Sequence, residues 1–262
     1  MPLVTSTEMF RKAYEGGYAV GTKSDLTGGM NSLDKQNVMW GAGIQVADQA
    51  GGYAGFFTHM DNKEGAYAKS APKLISKQLY NRISATDIRR DWWDPSDKES
   101  PYVSKKFSFA NVASFLGDYI YMRVEEMYFT AAEAALRLDD LKSARELMNT
   151  VMAERDPGYS ANNRSGTLLG ATTTTWTGSF LENILTHRRI ELWGEYGRLF
   201  DVRRLGQGID RRTDDGFSEE CISMMNRRNV NITKADTYDW VLTIPKAELD
   251  ANPNINEEDQ NP

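Results

Sequence analysis

The sequence predicts a mainly α protein: a hairpin of two helices, a third long helix continuing it, and an irregular, loop-rich region packed on them. Three observations carry this. Between Tyr119 and Arg155 apolar residues recur at helical spacing, first in YIYMRVEEMYFTAAEAALRL and then in LKSARELMNTVMAER. The periodicity resumes near Ser179 and runs on through HRRIELWGEYGRLFDVRRLG, residues 187–206. Residues 1–118, in contrast, are punctuated by Gly16-Gly17, Gly28-Gly29 and Gly51-Gly52, which break regular structure. The whole of 1–262 is read as one domain: a loop-rich region at 1–118, a helical core at 119–206 and an irregular C-terminal region at 207–262.

In chain order, short helices are expected at Ser6–Tyr14 and Ala71–Asn81, and Asn37–Val46, NVMWGAGIQV, has the look of a buried strand interrupted by two glycines. Asp139-Asp140 separates the two helices of the hairpin, with Asp140 placed to cap the second. Ala131, Ala132, Ala134, Ala135 and Ala144 allow those helices to approach closely, and Leu138, Leu141, Leu147 and Val151 are expected to seal the contact. The unit resembles a tetratricopeptide-type hairpin, which cannot bury its own outer face and therefore needs neighbours. Residues 156–178, rich in Thr, Asn and Gly, read as a surface loop. Loops are expected over 207–236, then a short strand at Tyr238–Ile244 ended by Pro245.

Composition narrows the function classes. The 262 residues are 40% hydrophobic, enough for a real core, and the net charge of −6 argues against a nucleic-acid or acidic-membrane partner. Cys221 is the only cysteine, so no intramolecular disulfide can form, and no apolar run approaches the length of a membrane span. Twelve tyrosines and six tryptophans are plentiful, and such side chains either bury large areas or stack on ligands.

Residues 187–206 interleave arginines and carboxylates with Leu192, Trp193, Leu199, Phe200 and Val202. On a continuous helix Glu191, Glu195, Arg198 and Asp201 would be neighbours able to pair with Arg188, Arg198 and Arg204. Apolar residues between them press the charges inward, so the stretch reads as a semi-buried ion network locking helices together. Glu191 and Glu195, one turn apart, could also be spaced for glycoside hydrolysis. Nearby guanidinium groups oppose that role, because a general acid needs a raised pKa and an arginine lowers it.

Four segments then carry a family likeness: Met122–Arg137, MRVEEMYFTAAEAALR; Ala144–Arg155, ARELMNTVMAER; Ile184–Gly206, ILTHRRIELWGEYGRLFDVRRLG; and Ile244–Ile255, IPKAELDANPNI, followed by QNP at 260–262. In this order they resemble the C-terminal half of the SusD/RagB family, the surface glycan-binding lipoproteins of Bacteroidetes. Upstream, NVMWG and the DIRR segment Asp87–Arg90 fit the family's middle region, so the likeness runs from about residue 37 to the end. His187 stands where the family usually has an acidic residue. The family's N-terminal half, with its signal peptide, lipidated cysteine and most of its helical repeats, has no counterpart, which implies a piece of a longer protein. The resemblance further implies a SusD-like fold, binding of an oligosaccharide without chemistry, no cofactor, and delivery to a SusC-like TonB-dependent transporter at the extracellular face of the outer membrane. Membrane association would come only through a lipid anchor. Rival readings are a helical-repeat adaptor for protein partners and a glycoside hydrolase using Glu191 and Glu195.

A sugar ring has an apolar face that stacks on aromatics and a rim of hydroxyls that need hydrogen-bond partners. Candidate stacking residues are therefore Tyr53, Phe56 and Phe57 in the glycine-rich GGYAGFFTHMD, one of Trp92 and Trp93, and Trp176 in the threonine-rich loop. Trp40 and Trp193 are assigned to the core. His59 and Asp61 form an H-x-D pair without further ligands nearby, and Lys63 contradicts the calcium-loop pattern of Asp61–Gly65. No metal site and no catalytic set is expected.

Overall fold

A computed structural model describes residues 15–48, 55–162, 178–195, 197–206 and 243–260. The chain divides into two compact units, the first being Met1–Ala171 with Trp176–Tyr196 and the second Thr172–Thr175 with Gly197–Pro262. The fold is helix-rich, as expected.

In the first unit the described elements are α1 (Lys23–Thr27), β1 (Val38–Ala42), α2 (Phe56–Met60), α3 (Ala66–Ser70), α4 (Lys77–Tyr80), β2 (Trp93–Asp94), β3 (Val103–Ser104), β4 (Tyr119–Arg123), α5 (Val124–Arg137), α6 (Leu141–Ala153) and α7 (Phe180–Glu191). The second holds α8 (Arg198–Arg204) and α9 (Lys246–Ala251). In the second unit Asp201 and Arg204 pair within α8 at 2.8 Å, and Gln260 closes the tail by donating to the Ile244 carbonyl and accepting from its N–H, both at 2.8 Å.

The helical hairpin forms from α5 and α6 for the reasons legible in the sequence. Asp139 takes a left-handed backbone conformation (φ 63°) that ends α5, and the Asp140 carboxylate accepts from Ser143 N at 3.0 Å to cap α6. All five small residues are buried, as is Val151. Leu138 is not a seal: it lies past the last turn of α5 and is 50% exposed, while Leu141 and Leu147 are half-buried. Against the opposite side of α5 lies α7, whose N-cap Ser179 accepts from Glu182 N.

Three expectations need correction. Tyr119–Arg123 is a strand and not the first turns of the helix; it pairs antiparallel with β1, Trp40 opposite Met122 and Ala42 opposite Tyr119. Cross-strand hydrogen bonding overrides a local pattern that periodicity alone assigned to helix. The Ala71–Asn81 helix shrinks to α4, because Pro72 lacks an N–H and Leu74 bridges Val103, leaving Ser76 as the cap. Last, α7 stops at Glu191 and does not run to 206. Gly194 (φ 74°) and Gly197 (φ 101°) take left-handed conformations, and a Cβ on Gly194 would lie 2.6 Å from the Phe107 ring. The expected helix Ser6–Tyr14 and the loops over 207–236 lie outside the described residues, as do 163–177 of the expected surface loop and 238–242 of the expected strand; Thr243–Pro245 form no strand.

Two apolar clusters flank the ion network. One gathers Leu26, Ile75, Leu79, Tyr80, Ile83, Trp92, Trp93 and Ile190; the other gathers Met30, Phe57, Phe107 and Phe109, and Trp193 packs on both.

Candidate binding site

Two features organise the first unit: a buried ion network and, next to it, an aromatic cavity. The network is not the local ladder that residues 187–206 suggested. Glu191 is fully buried and takes its partners from three remote elements: Oε1 accepts from Arg123 Nη1 (2.9 Å) and Arg155 Nη2 (3.0 Å), Oε2 from Arg89 Nη1 (3.1 Å) and Arg155 Nε (3.0 Å). Arg89 also holds Asp87, and Glu125 pairs with Arg123 and Arg155. Glu195 accepts from Arg123 Nε, at 2.9 Å, and from Lys106. Four cations, Arg89, Lys106, Arg123 and Arg155, thus face four carboxylates, Asp87, Glu125, Glu191 and Glu195.

Burial alone would raise the Glu191 pKa, but Arg155, Arg123 and Arg89 together outweigh it and hold the carboxyl well below the usual range. Glu195 is lowered in the same way, Arg123 and Lys106 overcoming its burial. Both carboxyls are thus favoured in the ionised form, the opposite of the raised pKa that a general acid needs. Arg188, on the same helix as Glu191, turns to Glu126 at 3.0 Å instead. His187 Nδ1 lies 2.9 Å from Arg89 Nη2; arginine only donates, so Nδ1 is the accepting, unprotonated nitrogen.

Lys106 closes the network at the C-terminal end of α7. Its Nζ donates to the carbonyls of Glu191 (2.7 Å) and Trp193 (2.8 Å) and to Glu195, and it lies over the Trp92 and Phe107 rings. A cation is favoured where helix carbonyls end unpaired. Burial, opposed by Glu195 and reinforced by Arg123, brings its pKa down to about 8.

Above Glu195 opens a cavity of about 410 Å³, within the range of small-molecule sites. Met30, Phe56, Phe107 and Ile120 line it together with Tyr119, and Trp40 and Tyr121 stand at its edge. The paired strands β1 and β4 carry those last two: Trp40 is 63% exposed and Tyr121 41%, and their rings meet edge-on with centroids 5.1 Å apart, where the ladder is irregular on both sides of Trp40. Assigning Trp40 to the core was wrong: it is 63% exposed and its ring packs against Tyr121 at the mouth of the cavity.

The stacking candidates fare unequally. Phe56 lines the cavity, in edge contact with Phe107 and Tyr119. Phe57 is 2% exposed and belongs to the core beneath; a Cβ on Gly117 would lie 2.5 Å from its ring. Trp92 and Trp93, 3% and 1% exposed, offer no platform: both pack in one apolar cluster, and Trp92 Nε1 donates to the Leu26 carbonyl. Tyr53 and Trp176 lie outside the described residues. Of the H-x-D pair, His59 stacks on Tyr67, and Asp61 accepts from the N–H groups of Lys63, Glu64 and Phe109, a turn-capping role. Among the described residues no cluster of His, Cys, Asp and Glu could hold a metal ion.

Trp40, Tyr119 and Tyr121 were not among the candidates named from the sequence: the pairing of β1 with β4 is irregular on both sides of Trp40, so local spacing does not report that Trp40 meets Tyr121.

Comparison with known proteins defines the class. The SusD_RagB profile, the SusD family, matches residues 95–262. A SusD-like carbohydrate-binding protein from Bacteroides vulgatus aligns with TM-score 0.61 and 25% identity over 78% of this chain and 41% of its own. A SusD superfamily protein from the same organism reaches TM-score 0.73 at 18% identity, over 98% of this chain and 53% of its own. Surface glycan-binding protein A from Bacteroides uniformis gives TM-score 0.56 at 15% identity, over 99% and 56%. No curated protein sequence matches. The chain belongs to the SusD family, and it spans about half the length of these solved relatives.

Proposed function

We propose that the protein captures an oligosaccharide at the cell surface, without cleaving it, for delivery to a SusC-like TonB-dependent outer-membrane transporter. The carrying observation is the exposed Trp40–Tyr121 pair beside an aromatic cavity in a SusD-family chain. Two solved relatives are described as a carbohydrate-binding protein and a surface glycan-binding protein, which supports a glycan ligand here. Glu191, held ionised by Arg155, Arg123 and Arg89, and Glu195, held by Arg123 and Lys106, support binding over hydrolysis. Among the described residues no helix is long and apolar enough to cross a membrane, and the proposed attachment is the family's lipid anchor at the extracellular face. Phe56 joins the proposed contact set from the cavity wall; Tyr53 and Trp176 remain in it on sequence context.

Calorimetry with a panel of soluble oligosaccharides, with the sugars analysed afterwards, tests this reading. Saturable binding with intact sugar is expected, and Trp40→Ala and Tyr121→Ala should each weaken it about tenfold, some 1.4 kcal/mol. Release of new reducing ends, or affinity untouched by either substitution, would overturn it.

A further inference from the structure

The cavity itself is poorly suited to a bare sugar. Met30, Phe56, Phe107 and Ile120 bring no hydrogen-bonding side-chain group to its wall. Few polar atoms are near: the Tyr119 hydroxyl accepts from Phe56 N at 3.3 Å and keeps a single O–H to donate, and both Glu195 oxygens are held by Arg123 and Lys106. A pyranose pushed inside would strand several hydroxyls without partners, at about 1–3 kcal/mol each. At the exposed edge formed by Trp40 and Tyr121, by comparison, water can serve the hydroxyl rim while the rings cover the apolar face.

The interior fits something else. Its volume of about 410 Å³ exceeds the ~150 Å³ that suffices for a dry apolar cavity to hold benzene. Its rings already meet one another edge to face, Phe56 against Phe107 at 89° and against Tyr119 at 63°, so an entering ring can continue the same herringbone. Met30 adds a polarizable thioether suited to aromatic contact. Charge adds a restriction. Glu195 is ionised and already balanced by Arg123 and Lys106, so an entering anion would meet a carboxylate and an entering cation would find its counter-charge taken.

We propose that the cavity takes a neutral aromatic substituent carried on the saccharide, an aryl ether or aryl ester, while Trp40 and Tyr121 stack the sugar that bears it. The ligand class is therefore an aryl-substituted glycan, and the assignment rests on the capture reading above.

The test compares 4-nitrophenyl and methyl glycosides of glucose, galactose, mannose and xylose on the full 262-residue chain. Calorimetry should give at least one sugar for which the aryl glycoside binds about tenfold or more tighter than its methyl counterpart. Ile120→Phe, which fills the cavity from β4, should remove that advantage. On the unaltered protein, with methionine and isoleucine methyls carbon-13 labelled, the aryl glycoside should shift the Met30 and Ile120 signals and the methyl glycoside should not. Equal affinities for the two series, with those methyls unmoved, would sink the aryl assignment and leave glycan capture standing. Failure of both these series and the oligosaccharide panel to bind would remove the capture reading and the aryl assignment with it.

Discussion

Replacing Glu191 by glutamine changes almost nothing in volume and a great deal in charge. The wild-type carboxylate accepts four hydrogen bonds from three guanidinium groups, and it is completely buried. Glutamine keeps one oxygen but turns the other acceptor into an N–H₂ that faces two donors, Arg123 and Arg155 on one side or Arg89 and Arg155 on the other. The cluster of four cations and four carboxylates also gains an uncompensated positive charge inside the protein. Breaking a buried ion pair from one side costs about 3–5 kcal/mol, a large part of the 5–15 kcal/mol that holds a typical domain folded. Urea unfolding followed by tryptophan fluorescence should show the midpoint falling by about 1–2.5 M, given a slope of about 2–3 kcal/mol per molar. Because the folded Glu191 pKa is depressed, its contribution is present above the carboxylate's ordinary value of 4.5 and is lost as pH falls through the folded pKa, so the gap between the two proteins should narrow on acidification. Sugar affinity should stay within about twofold, since Glu191 does not line the cavity. A loss below about 1 kcal/mol would refute the reasoning, because the network would then be worth no more than a surface pair. So would a glutamine variant of wild-type stability that had lost an intrinsic hydrolytic activity.

Two other consequences are as direct. Lys106 titrates near 8 in the folded protein against its ordinary 10.5, so between those values the unfolded chain holds the extra proton and this group's contribution to stability rises with pH. Lys106→Met should abolish that part of the slope in urea midpoints measured from pH 7 to 10, and parallel curves for the two proteins would contradict it. At the hairpin turn, Asp140→Ala removes the acceptor for Ser143 N and should cost about 1 kcal/mol in the same assay with sugar affinity unchanged; an unchanged midpoint would show the cap to be idle.

How much of this was legible beforehand depends on the distance over which each feature is decided. The Asp139-Asp140 break, the Asp140 cap and the alanine face of α5 involve neighbours within a few residues, and each stands where the sequence put it. Residues 187–206 read as an ion network, and the structure shows one, but most of its partners come from elsewhere than local spacing suggests. Arg123 and Arg89 meet Glu191 across 68 and 102 positions of chain, and nothing in local spacing reports such encounters. Arg204 with Asp201 forms a short-range pair that spacing allowed, and Asp201 also acts electrostatically on Arg198. The glycines that end α7 were visible as residues, but the lack of room for a side chain at 194 comes from the Phe107 ring and Met60 packed against it.

The aromatic candidates follow the same division. Composition and pattern established that this chain is rich in rings, helical in its centre and SusD-like in its motifs. Which rings are exposed was settled by assembly: Trp92 and Trp93 vanish into a core built from α1, α4 and α7, whereas Trp40 and Tyr121 remain exposed on the paired strands β1 and β4. Caps, turns and periodicity are short-range and are written in adjacent residues. Burial and charge pairing depend on what the rest of the chain brings alongside, and only the folded structure decides that.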